Sequence, residues 1–147
     1  MKAVPGCALC GSDGGVLVVR AGPLRVIRAD ETGFPAFYRV VWQEHVAELT
    51  DLPSGARRAC MDAVCHVEEA VREHLQPRKV NLASLGNVVP HLHWHVIARF
   101  EWDSHFPGPV WAQPLRAAPA DRLAGLVERL PALDQAIASR FAAAAAA

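Results

Sequence analysis

The chain has 147 residues, 52% of them hydrophobic, and carries 15 basic and 15 acidic side chains for a formal net charge of +0. That length suits one domain with a real core. The charge balance speaks against a protein that grips nucleic acid by neutralising phosphates, which calls for a basic excess. No unbroken apolar run reaches membrane-spanning length, so no membrane partner is expected. The opening MKAVPGCALC lacks the apolar stretch of a secretion signal, and the expected location is the cytoplasm.

Cys7 and Cys10 form CALC, a spacing compatible with a metal site or a redox pair, and by itself half a site. Only six residues precede it, and Gly11, Gly14 and Gly15 follow where a redox motif would open a helix. The pattern predicts a knuckle or an N-terminal turn. Residues 16–20, 24–29 and 36–42 then read as three strands rich in β-branched and aromatic residues, separated by Gly/Pro turns, in an antiparallel meander.

A helix follows, with Ser54 as its expected N-cap. Cys60, Val64, Val67, Val71 and Leu75 recur at spacings of three and four and mark its buried stripe. Arg57, Arg58, Glu68, Glu69, Arg72 and Glu73 form its solvated side. Cys60 and Cys65 are expected to be plain core thiols. His66 and His74 carry no functional expectation; His74, near the C-terminus, complements the helix dipole. Pro77 ends the element.

Residues 79–85 read as a strand, and the turn GNVVP leads into a second, 91–100, antiparallel to it. Residues 101–118, with three prolines and several aromatics, read as irregular but packed. A helix pattern runs from about Ala120 to Leu130. Pro131 is expected to break it or to start a second helix carrying Leu133, Ile137 and Phe141. Residues 142–147 are a low-complexity alanine tail. The sum is one domain over 1–147, of the α+β class: an antiparallel sheet of about five or six strands, one long helix and a C-terminal helical segment.

The segment HLHWHVI, residues 91–97, is the strongest signal. Alternation along a strand sends His91, His93 and His95 to one face and Leu92, Trp94 and Val96 to the other. Imidazole titrates near neutrality, ligates metals and attacks as a nucleophile. An exposed polar face explains one such histidine readily and three in strict alternation poorly. Metal ligation and phosphate chemistry both fit, and the spacing alone does not separate them.

HLHWHVI resembles the signature of the histidine triad (HIT) family, in which three histidines alternate with apolar residues. LGNVVPHLHWHVIARF is similar to the whole loop-and-strand segment of that family, His45 stands where its members place a histidine ahead of the long helix, and CALC resembles the CxxC of many members. The resemblance covers most of residues 7–100. It implies a nucleotide-binding homodimer of α+β fold, and a hydrolase or transferase acting at the α-phosphate. By this resemblance His93 is the nucleophile that becomes covalently nucleotidylated, His95 contacts phosphate or the leaving group, and His91 supports the site by hydrogen bonding. Plausible substrates are dinucleoside polyphosphates, nucleoside phosphoramidates or adenylylated adducts.

Asn81 and Asn87 resemble phosphate-binding amides of the family, although Asn87 stands where a longer glutamine is usual. Val88, Val89 and Pro90 replace more polar residues before His91, and Ala98 stands where many members have proline. Trp102, His105, Phe106 and Trp111 are expected to stack a base or line the pocket, or else to serve dimer or core packing. In members with CxxC, the two cysteines, the upstream histidine and the first triad histidine hold a zinc; here these are Cys7, Cys10, His45 and His91, a closed structural set. The alternatives are a nucleotide-binding homodimer without turnover and a zinc-stabilised structural or regulatory protein.

Overall fold

The computed structural model describes residues 2–146. Three strands come first, β1 (Val16–Ala21), β2 (Leu24–Arg28) and β3 (Phe37–Trp42), preceded by a single helical turn, α1 (Ala8–Gly11). A long helix α2 (Ser54–Leu75), strands β4 (Lys79–Ala83) and β5 (His93–Arg99) and a second long helix α3 (Ala120–Ala146) follow. The sheet has five strands in the order β1-β2-β3-β5-β4, and each of its pairings is antiparallel. The α+β class and the meander expected from the sequence are therefore present. Among the described residues no helix is long and apolar enough to cross a membrane.

Period-two alternation divides the sheet into two faces with different neighbours. Val26, Tyr38, Val40, Val96 and Ala98 point one way and are buried with the apolar stripe of α2, which includes Cys60, Val64, Val67, Val71 and Leu75. Ile27, Phe37, Val41 and Ile97 point the other way, into smaller apolar clusters with Leu9 and Phe34. The same second face carries Arg25, Arg39, His93, His95 and Arg99. Residue pairs in register, Val41 with His93 and Arg39 with His95, share that face.

Four expectations need correction. Helix α2 has Pro53 as its N-cap, with no side-chain cap bond; Ser54 is already its first helical residue. Cys65 is exposed rather than core, because it lies one residue, and so 100° of helix, beyond the Val64 stripe; Cys60 is buried as expected. Strand β5 begins at His93, two residues later than alternation suggested, and β4 stops at Ala83.

The fourth concerns Pro131, which neither breaks α3 nor starts a new helix. Leu126, Leu130, Leu133, Ile137 and Phe141 keep one buried stripe across it. Five such side chains, at about 1.5–3 kcal/mol each on full burial, outweigh the roughly 3 kcal/mol that an interior proline costs. Polar ties also hold α3 in place. Tyr38 donates its hydroxyl to Asp134 at 2.7 Å beside Arg28, and Arg140 pairs with Glu69 and Glu73 of α2.

On the opposite side, buried Arg99 binds Asp103 through two nitrogens, at 2.8 and 3.0 Å, and also reaches Asn81 and the carbonyl of Gly108. This knot fastens the irregular 101–118 segment under the sheet. Buried Arg25 does the same for the N-terminal segment, donating to the carbonyls of Leu9, Ser12 and Asp13. Gly15 passes so close to β2 that a Cβ there would lie 2.5 Å from the Arg28 carbonyl oxygen. The N-terminal segment is thus packed down, and Gly14-Gly15 serves close approach.

Candidate active site and metal centre

The histidine-bearing face of the sheet forms the floor of a cavity of about 470 Å³, lined among others by Leu9, Arg39, Asn87, His93, His95 and Trp111. That is within the range of small-molecule sites. His93 is 8% exposed and His95 6%. Their rings meet edge to face with centroids 4.9 Å apart.

His93 Nδ1 lies 2.6 Å from the carbonyl oxygen of His91. A carbonyl only accepts, so Nδ1 carries the proton and donates it, and the lone pair is left on Nε2. Burial lowers the basicity of His93 below the ordinary imidazole range, against the opposing pull of this hydrogen bond; Arg39 adds to the lowering. A buried neutral imidazole with one nitrogen tied back and the other free is a competent nucleophile.

His95 stands between Phe37, at 5.2 Å, and Trp111, at 5.4 Å. Desolvation, then the neighbouring His93 and Arg39, push its pKa down to about 4. Its Nδ1 is buried without a protein partner. Buried polar atoms are rarely left so; the ring as a whole lines the cavity.

His91 has a different place from the other two. It lies ahead of β5, fully buried, with Nε2 2.6 Å from the Trp42 carbonyl oxygen. Its Nδ1 turns to the cysteines, 3.5 Å from each Sγ of Cys7 and Cys10. His45 Nδ1 is 3.4 Å from Cys10 Sγ. The ligand atoms of Cys7, Cys10, His45 and His91 all lie within 4.8 Å of one another. A tetrahedral zinc with Zn–S of about 2.3 Å and Zn–N of about 2.0–2.1 Å sets neighbouring sulfur and nitrogen ligands about 3.5 Å apart. The donor set and its spacing fit that ion. The Trp42 carbonyl accepts from the second nitrogen of His91, as metal-bound imidazoles require.

Of the two asparagines, Asn87 is exposed on the loop that lines the cavity. Asn81 sits in β4 outside the lining, and its side-chain oxygen accepts from Arg99 at 2.7 Å. Of the aromatic residues in 101–118, Trp111 lines the cavity, half-exposed. Trp102 stacks on Phe100 at 4.8 Å and packs against the helix-side core. His105 packs on Phe34 and bonds Ser104.

Arg39 and Leu9 are cavity residues that the sequence reading passed over. Leu9 is the buried residue of the CALC turn, so the cysteine-bearing segment also forms a cavity wall. Arg39 had a legible signal: it is the one charge inside the apolar strand AFYRVVW.

A five-stranded antiparallel sheet, helical on one face and bearing a paired-histidine cavity on the other, is the architecture of a small histidine-based α+β domain. The HIT domain matches residues 15–102, more than half of the chain. A histidine triad protein from Bradyrhizobium japonicum is 29% identical, with a TM-score of 0.65 over 81% of this chain and 90% of its own. One from Marinobacter aquaeolei is 26% identical, with a TM-score of 0.67 over 86% and 93%. A zinc-bound histidine triad family protein from Mycobacterium smegmatis has the same fold at 20% identity, with a TM-score of 0.63 over 94% and 97%. No curated protein matches by sequence. This chain belongs to the HIT family.

Proposed function

We propose that the protein is a nucleotide hydrolase or nucleotidyl transferase that acts at an α-phosphate through a covalent nucleotidyl-His93. The observation that carries this reading is the hydrogen bond from His93 Nδ1 to the His91 carbonyl, which leaves Nε2 as the free nitrogen of a residue lining the cavity. In the first step Nε2 forms a bond to phosphorus, and the bond from phosphorus to the leaving group breaks with its electrons on that group. In the second, water or another acceptor attacks phosphorus and the N–P bond breaks, returning the lone pair to Nε2. Splitting one displacement into two is what a nucleophilic side chain contributes. His95, whose ring lines the cavity, holds a phosphoryl oxygen or the leaving group, and Asn87 on the facing loop donates to phosphate.

Cys7, Cys10, His45 and His91 hold a zinc ion, a role supported by the ligand spacing and by the zinc-bound relative. When bound it supplies structural cross-linking only, since four protein ligands leave no open position for substrate. It ties the CALC turn and the residue before β5 to the cavity wall. Zinc thiolates require reduced cysteines, which supports a cytoplasmic setting. The homodimer expected of the family is supported by edge strand β4, whose Leu82 is 39% exposed.

Intact-protein mass spectrometry of rapidly quenched reactions tests the mechanism. Wild type should show a transient adduct of one nucleoside monophosphate that His93→Ala lacks, while the variant keeps its circular dichroism. Hydrolysis by that variant at the wild-type rate would refute covalent catalysis.

A further inference from the structure

Arg39 stands directly opposite His95 in the β3–β5 register, on the same face of the sheet, and lines the cavity. Among the described residues it is the only charged side chain on that wall; the rest is apolar side chains, glycines, the Asn87 amide and the two imidazoles. An arginine in the middle of an apolar strand costs stability unless its nitrogens are satisfied. Here one nitrogen, Nη2, pairs with Glu31 at 2.7 Å. Nε is buried and has no partner. Glu31 is itself well exposed, so the pair is screened and leaves much of the guanidinium charge acting on the cavity. Glu31 also holds the head in one orientation, and Phe37 supports it from below, 5.5 Å from ring centroid to guanidinium carbon.

A fixed cation that lines a cavity is a site for an anionic oxygen. One phosphate is already served by the histidine pair and the Asn87 loop. A second phosphate, joined to the first, places its oxygens a few ångströms further along, within the reach of a long side chain rooted opposite His95. We infer that Arg39 is a specificity-determining residue that binds the phosphate next to the reacting one, and that the preferred substrates are nucleoside polyphosphates rather than nucleoside phosphoramidates. This rests on the nucleotidyl-transfer reading above and specifies its leaving group. As the P–O bond to the next phosphate breaks, its electron pair stays on that phosphate oxygen. Arg39 is placed to stabilise the charge that grows there. A phosphoramidate releases an amine instead, which takes up a proton and gains nothing from a cation.

The test compares wild type, Arg39→Met and Arg39→Lys on diadenosine triphosphate and on an adenosine phosphoramidate of an uncharged arylalkyl amine. Loss of one charge-assisted contact predicts that Arg39→Met loses about 10- to 100-fold in kcat/KM on the polyphosphate. The loss on the polyphosphate should exceed the loss on the phosphoramidate by about 10-fold or more, and Arg39→Lys should recover part of that difference, as expected for an interaction made with one leaving group only. Equal losses on both substrates, or none on either, overturn the assignment.

Binding gives a second readout that needs no turnover. Wild type should bind α,β-methylene-ADP more tightly than AMP, and Arg39→Met should erase that difference; equal wild-type affinities for the two overturn the proposal. His93→Ala with intact turnover would sink the covalent reading instead, leaving the Arg39 comparison to be judged by itself.

Discussion

His91 and His93 are joined by a bond that runs from the imidazole of one to the main chain of the other: His93 Nδ1 lies 2.6 Å from the His91 carbonyl oxygen. The side chain of His91 faces the cysteine pair while its backbone sets the tautomer of His93. One residue thus links the metal-type centre to the proposed nucleophile.

The first consequence is spectroscopic. Long-range nitrogen–proton NMR correlations should show His93 as the Nδ1–H tautomer, with an unprotonated Nε2, in the absence of nucleotide. An Nε2–H tautomer would remove the nucleophile from the cavity and contradict the proposed chemistry.

Metal analysis tests the second centre. Protein purified without chelator should carry about one zinc per chain, as a closed four-ligand set predicts, and Cys10→Ser should lose most of it. Because Leu9 of the CALC turn also walls the cavity, removing the metal should lower both the melting temperature and the affinity for AMP. Full zinc occupancy in Cys10→Ser would exclude this ligand assignment.

Acid should destabilise the fold through His95. Its pKa falls from 6.5 to about 4 on folding, through burial, then His93 and Arg39. Below pH 6.5 the unfolded chain takes up a proton that the native state refuses, so stability present at neutral pH is lost as pH drops towards 4. The loss over that window is on the order of 3 kcal/mol. Urea titrations at pH 7 and pH 4.5 should show a shallower pH slope for His95→Asn than for wild type. Equal slopes would mean that His95 is not held neutral by its surroundings.

Gly15→Ala should be costly although it adds one methyl group. The new Cβ would meet the Arg28 carbonyl oxygen at 2.5 Å, and backbone does not rotate away as a side-chain tip does. A loss of about 1–3 kcal/mol is expected, read as a lower midpoint in thermal melting. Gly11→Ala, where a Cβ meets nothing within 4 Å, is the control and should cost far less.

Much of the fold was readable because local pattern and burial agree. The alternation in β2, β3 and β5 and the stripe of α2 from Cys60 to Leu75 repeat at the period of their own element. Boundaries were less readable. Ser54 has the chemistry of a cap, yet the backbone turns into the helix one residue earlier, at Pro53. The local cost of Pro131 predicts a break, whereas five buried residues, two before it and three after, decide the outcome. Cys65 was grouped with Cys60 by residue type, and only its angle on the helix separates them.

The candidate site divides in the same way. The sequence already assigned His93 and His95 to one face, because strand periodicity is a local rule. It also supplied, by resemblance, the four residues that come together as a metal-type set. Long-range packing, by contrast, set Arg39 opposite His95, gave Asn81 to Arg99 and made Leu9 a cavity wall. Those relations depend on strand order and register across long separations in sequence. They follow from which surfaces the chain buries together, and no local period encodes that.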